Sequence, residues 1–210
     1  MLADVSGSMS GAPIAALEAG FEAFVHYVTT DDLARKRAEV AVISFGSYAE
    51  VTVPLQEARM LEPTRFEING STNMAAAIDL AIDMIDERKL EYKAAGIQYF
   101  RPWLLLLTDG APNPEGFDAA VARLNAMEAG SGVTVFAIGV GDNVDYGQLE
   151  RLSQQRTPAP LAGLKFEEFF EWLSASLGNV ASSSSFGRSD AQVAAKTEQV
   201  ALAPIGWTTA

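Results

Sequence analysis

Residues 103–110 read WLLLLTDG. Trp103 to Thr108 is apolar at almost every position, without the alternation of a strand that has one wet face. That is the pattern of a central parallel strand covered on both sides. Asp109 and Gly110 come next, so a carboxylate is carried out to the carboxyl end of that strand. Upstream, residues 74–88 repeat apolar side chains at Met74, Ile78, Ile82 and Ile85, a helical period. Downstream, a helix over 118–128 leads into VTVFAIGV at 133–140, a second buried strand.

The same alternation extends to both ends. Residues 14–28 carry a helical stripe at 14, 17, 21, 24, 25 and 28, with Pro13 where a first-turn proline is tolerated. EVAVISF at 39–45 and the run 49–55 are two strands joined by the short FGSY, so they form an antiparallel hairpin. A short helix over 146–154, a last strand over 160–164 and a closing helix over 166–177 complete the series. Strands alternating with helices of this length imply right-handed crossovers. The expected fold is α/β: a doubly wound, Rossmann-like, mostly parallel sheet with helices on both faces. One domain covers 1–180 and a polar Ser/Gly-rich linker covers 181–198. An apolar segment, 199–210, either packs back on the domain or serves as a peptide for a partner.

Composition narrows the functions. With 15 Lys and Arg against 27 Asp and Glu, the formal net charge of −12 argues against nucleic acid, which needs cations for its phosphates. Anionic lipid is disfavoured for the same reason. No cysteine is present, which excludes disulfides and thiolate metal sites. No apolar run approaches the roughly 20 residues that span a bilayer, and no signal peptide precedes the first polar motif, so the expected location is the cytoplasm.

Asp4-Val5-Ser6-Gly7-Ser8 sets three oxygen-bearing side chains at alternate positions, able to face one point in extended chain. Carboxylate and hydroxyl oxygens suit hard cations such as Mg²⁺. Asp109 waits at a sheet edge of the kind where ligands bind in open α/β folds. Thr72, in GSTN at 70–73, lies just before a helix, where its ordinary role is an N-cap. Asp142, in the loop after the strand ending at Val140, is a turn residue or a rim residue of the same site.

Together, DxSxS at Asp4, Ser6 and Ser8, Thr72 in a GST segment, and TDG at 108–110 resemble the metal-ion-dependent adhesion site of von Willebrand factor type A domains. The resemblance runs from Leu2 to about Val180. It is nearest to bacterial stand-alone domains of tellurium-resistance and stress-response operons, on SGSMSGAPI, ERKLEYKAAGIQYFRPW, LTDGAPN, AIGVGD and FFEWLSASL. It implies a six-stranded sheet of order 3-2-1-4-5-6 with strand 3 antiparallel. It further implies that Asp4, Ser6, Ser8, Thr72 and Asp109 hold Mg²⁺, or Mn²⁺ or Ca²⁺, directly or through water. Two carboxylates leave no surplus charge beside a divalent ion, so a protein partner's Asp or Glu would fill its open position. Proline is common in relatives where Asn73 stands. Relatives also have five or six apolar residues ahead of the first aspartate, against Met1, Leu2 and Ala3 here. The first strand is thus expected to be cut short, with an apolar in-frame segment upstream.

No enzyme is expected. His26, the one histidine, sits on the solvent side of the first helix, and no base accompanies Ser6 or Ser8 for a triad. There is no phosphate-binding glycine motif. The rival reading is a Mg²⁺-dependent phosphotransferase or phosphatase with an aspartyl phosphate at Asp4. It lacks the second aspartate two residues on, where Ser6 stands. A structural scaffold with a vestigial metal site is the remaining alternative. Lys89, Glu91 and Lys93 read as a solvated stretch, and 87–101, with Tyr92 and Arg101, as a candidate partner surface.

Overall fold

The computed structural model describes residues 1–141 and 144–182. The elements are β1 (Leu2–Asp4), α1 (Ala12–Thr30), α2 (Ala34–Arg37), β2 (Glu39–Phe45), β3 (Ala49–Glu57) and α3 (Met74–Ala94). They continue as β4 (Trp103–Thr108), α4 (Phe117–Ala129), β5 (Thr134–Val140), α5 (Tyr146–Leu149), β6 (Ala159–Leu161) and α6 (Phe166–Ser182). Six strands form one sheet in the order β3-β2-β1-β4-β5-β6, parallel throughout except for the β2–β3 hairpin. The sheet order and the single reversed strand agree with the expectation from sequence.

Each sheet face carries its own core. Ala3, Val42, Leu105 and Phe136 point to the α1/α6 side, and Leu2, Ile43, Leu104 and Val135 to the α3/α4 side. Successive residues of one strand entering different cores is why β4 shows no polar alternation. Helices α1 and α6 pack unusually close. A Cβ on Gly20 would meet Phe166 Cβ at 2.7 Å and Phe170 at 2.8 Å. Trp103 and Trp172 both stack edge-on against Phe136, with centroids 5.8 and 6.3 Å away, so both are packing residues. His26 is exposed on α1.

Several bounds differ from those read off the sequence. The helix from Met74 runs two turns longer, to Ala94, because Arg88 pairs with both Glu39 of β2 and Glu91, and Tyr92 donates to Glu39. Burial alone would raise the Glu39 carboxyl, but the bonds from Arg88 and Tyr92 outweigh it and hold it below the usual range. Tyr92 is therefore half-buried and stacked on Tyr99, with ring centroids 5.4 Å apart. Arg101 is buried, and the Lys89 side chain is only 14% exposed. Lys89, Tyr92 and Arg101 thus pack inward, while Leu90 and Ile97 of the same stretch are exposed. The helix expected over 146–154 divides into α5 and a 3₁₀ turn, and α6 extends beyond residue 177. The linker from 183, the segment 199–210 and Asp142 lie outside the described residues.

β1 pairs on both sides. Leu2 stands opposite Ile43 of β2 and Leu106 of β4. The Met1 ammonium donates to Ala41 O at 2.8 Å, and burial pulls its pKa down to about 5.

Candidate metal centre

β1 and β4 are neighbours in the sheet, so Asp4 and Asp109 emerge side by side at its carboxyl edge. Past Asp4 the chain bends at once. Ser6 N donates to Asp4 Oδ1 at 2.8 Å, and a 3₁₀ turn over Gly7–Met9 wraps the serines around the carboxylate. A loop from 69 to 73 braces this turn: Gly7 N donates to Gly70 O and Asn69 N to Val5 O. Gly46 allows that loop its approach, since a Cβ there would sit 1.8 Å from Asn69 O.

The side chains then meet. Ser6 Oγ and Ser8 Oγ lie 3.1 Å apart, and Ser8 Oγ donates to Asp109 Oδ1 at 2.7 Å. The Thr72 and Ser8 hydroxyls both face Gly110, at 3.6 and 3.9 Å from where a Cβ would stand. All five residues singled out in the sequence therefore gather at one crest. Thr72 does not act as the cap of α3; Asn73 does, its side chain accepting from Ala76 N at 3.2 Å. The Thr72 hydroxyl is left turned to the crest, 8% exposed at the residue level.

Asp4 is fully buried. Burial raises its carboxyl above the ordinary range, hydrogen bonds from Ser6 and Thr108 work against that, and the charge of Asp109 adds to the rise. Thr108 is the residue that sequence reasoning passes over: its hydroxyl donates to Asp4 Oδ2. Its signals were a polar side chain ending an otherwise apolar strand and its place at the head of the TDG segment.

Among the described residues no three carboxylate, imidazole or thiol groups converge. A cation here would rest on two carboxylates and three hydroxyls, a hard oxygen set that fits Mg²⁺, Mn²⁺ or Ca²⁺.

Comparison with known proteins agrees with this architecture. A von Willebrand factor type A protein from Catenulispora acidiphila superposes with a TM-score of 0.63 at 19% identity, covering 85% of this chain and 42% of its own. Proximal thread matrix protein 1 from the mussel byssus, in a structure with a zinc-occupied MIDAS motif, gives 0.55 at 17%, covering 83% and 46%. Manganese-loaded TRAP protein from Plasmodium vivax gives 0.50 at 20%, covering 72% and 59%. The chain thus spans between two fifths and three fifths of the length of these structures, and at such identities the likeness is one of fold. No curated protein matches the sequence. The family model of the von Willebrand factor type A domain aligns with residues 1–169, most of the chain, and to that family this protein belongs.

Proposed function

We propose that this domain is a metal-dependent protein-binding module. Asp4, Ser6, Ser8, Thr72 and Asp109 would hold a divalent cation, Mg²⁺ in the first instance. The observation that carries the reading is the meeting of the Ser8 hydroxyl with Asp109 and of Thr72 and Ser8 over Gly110, three segments far apart in sequence. When bound, the cation would supply a Lewis-acidic position that a partner's Asp or Glu carboxylate completes. The protein's own residues orient the set: Thr108 and the Ser6 amide fix Asp4, and Asn73 relieves Thr72 of capping.

A binding role is favoured over aspartyl-phosphate chemistry because Ser6 stands where that chemistry needs a second aspartate as its general acid. Mg²⁺-dependent hydrolysis of an aryl phosphate, abolished by Asp4→Asn, would overturn this choice.

The wider setting proposed is a bacterial cytoplasmic stress- or tellurium-resistance system, supported by the likeness of residues 87–103 and 169–177 to that branch of the family. No helix among the described residues is long and apolar enough to cross a membrane. The test is calorimetric titration with Mg²⁺, Mn²⁺ and Ca²⁺, paired with capture of protein partners in Mg²⁺ and in EDTA. Binding heat and Mg²⁺-specific capture, both lost in Asp109→Ala, are expected. Capture equal under all conditions would sink the metal-bridged mechanism.

A further inference from the structure

Of the five crest residues, Thr72 is the one that no strand delivers. Asp4 and Asp109 stand at the ends of β1 and β4, and the two serines sit in the turn that β1 leads into. Thr72 instead lies near the end of a stretch, 61–73, that contains no helix or strand. An irregular connection of that length has no ladder of its own, so its shape is set by the bonds it makes to its neighbours.

Two flanking segments supply those bonds. On one side is the tip of the β2–β3 hairpin. Asn73 N donates to Gly46 O at 2.7 Å, Ser71 N to Ser47 Oγ at 3.1 Å, and Ser47 N to Asn69 O at 3.0 Å. The fit is close: Gly70 has a φ of +55°, and Ser47 Oγ lies 1.9 Å from where a Cβ on Gly70 would stand. On the other side is the loop that leaves Asp109. Asn113 N donates to Thr72 O at 2.9 Å, and Asn113 Nδ2 to Ser71 Oγ at 3.2 Å. Ser71 is thus bonded in both directions, through its amide to Ser47 and through its hydroxyl to Asn113. Thr72 is held between them, with its carbonyl tied to the loop that carries Asp109.

We propose that Ser47, Ser71 and Asn113 form a strap that fixes the spacing of Thr72 from Asp109 and so tunes the crest toward small divalent cations. They are positioning residues, acting through Thr72. The inference rests on the metal-binding reading above. A cation that must first order a drifting ligand is bound less tightly than one met by a set already in place. Mg²⁺ demands near-ideal octahedral geometry, whereas Ca²⁺ accepts longer and more variable coordination. Slackening the strap therefore weakens Mg²⁺ more than Ca²⁺.

The test is calorimetric titration of the full chain with each ion, comparing the parent with Ser71→Ala, Asn113→Ala, the double variant and Ser71→Thr. Each alanine should raise the Mg²⁺ dissociation constant about three- to tenfold, the worth of one hydrogen bond, and the Ca²⁺ constant less. The two residues share that bond, so the double variant should be no worse than the weaker single. Ser71→Thr keeps the hydroxyl and should bind like the parent. Urea midpoints in EDTA should agree among all five, which separates positioning from loss of fold. In EDTA, Ser47→Ala should also quicken exchange of the Asn113 amide about threefold or more, although Ser47 touches only the far side of Ser71. Unchanged Mg²⁺ affinity in both alanine variants, equal weakening for the two ions, or unchanged exchange at Asn113 would overturn the strap while leaving the metal site standing. A parent that binds neither ion would instead overturn the metal-binding reading, and the tuning role with it.

Discussion

The hydroxyl of Thr108, the last residue of β4, donates to Oδ2 of Asp4, the last residue of β1, across two adjacent parallel strands. Asp4 is buried, and this bond and the one from Ser6 N hold its carboxylate in place. Removing a partner from a buried charged acceptor costs more than the bond itself contributes, about 1–3 kcal/mol. Thr108→Val, nearly the same shape, is therefore expected to lower unfolding free energy by that amount in urea titrations. A change below a few tenths of a kcal/mol would show that Asp4 does not depend on Thr108.

Thr72 and Asn73 separate binding from capping. Thr72→Val should abolish the rise in Tm produced by Mg²⁺ at a metal-free cost of about 1 kcal/mol or less, since its buried hydroxyl does not cap α3. Asn73→Ala should do the reverse, costing about 1 kcal/mol through the lost cap of α3 while the Mg²⁺ response survives. Thermal melts with Mg²⁺ and with EDTA read both. A Thr72→Val protein that still responds fully to Mg²⁺ would remove Thr72 from the ligand set.

Metal removal has its own signature. Anything that binds only the folded state stabilises by mass action, so Mg²⁺ at 100 times its dissociation constant should add about 2.7 kcal/mol. Asp109→Ala should lose that increment. In EDTA the variant should differ from its parent only by the exposed Ser8–Asp109 hydrogen bond it loses, about 1 kcal/mol or less.

Gly20 sits where α1 and α6 touch. Gly20→Ala gains about 1 kcal/mol in helix propensity, but its Cβ would stand 2.7 Å from Phe166 Cβ and 2.9 Å from the Phe166 carbonyl carbon. Overpacking at a backbone-limited contact costs about 1–3 kcal/mol, so a net loss of stability is expected in denaturant unfolding. A gain would mean that α6 can retreat freely.

Glu39 supplies a pH dependence of defined sign. Its folded carboxyl is held below the unfolded value by Arg88 and Tyr92, so its contribution is present in full above the unfolded value. That contribution is lost as pH falls through the depressed folded value. Arg88 is 36% exposed, which discounts the pair to about 1 kcal/mol. Glu39→Gln should thus be less stable than the parent at pH 7 and converge with it in acid, as seen in urea midpoints measured from pH 7 down to pH 3.

The strand at 103–108 and its successors were legible because a doubly covered strand needs apolar side chains in both directions, a demand imposed residue by residue. The site was legible for a related reason. Asp4 ends one buried strand, with Ser6 and Ser8 in the turn just beyond it, and Asp109 directly follows another, so local sequence fixes their place at an edge. What lay beyond local reading was every role set by a neighbour distant in sequence. Whether Thr72 caps α3 depended on Asn73 taking the Ala76 amide, and Thr108 mattered only because β4 lies against β1. The inward turn of Tyr92 and the extra turns of α3 came from Glu39, which is 53 residues away from Tyr92. Sequence alone determined the order of elements and the oxygen chemistry at one edge, because both follow from patterns a few residues long. Tertiary structure decided which oxygens are bound internally and which remain turned to the crest, because that is settled by pairing between strands and loops that only the fold brings together.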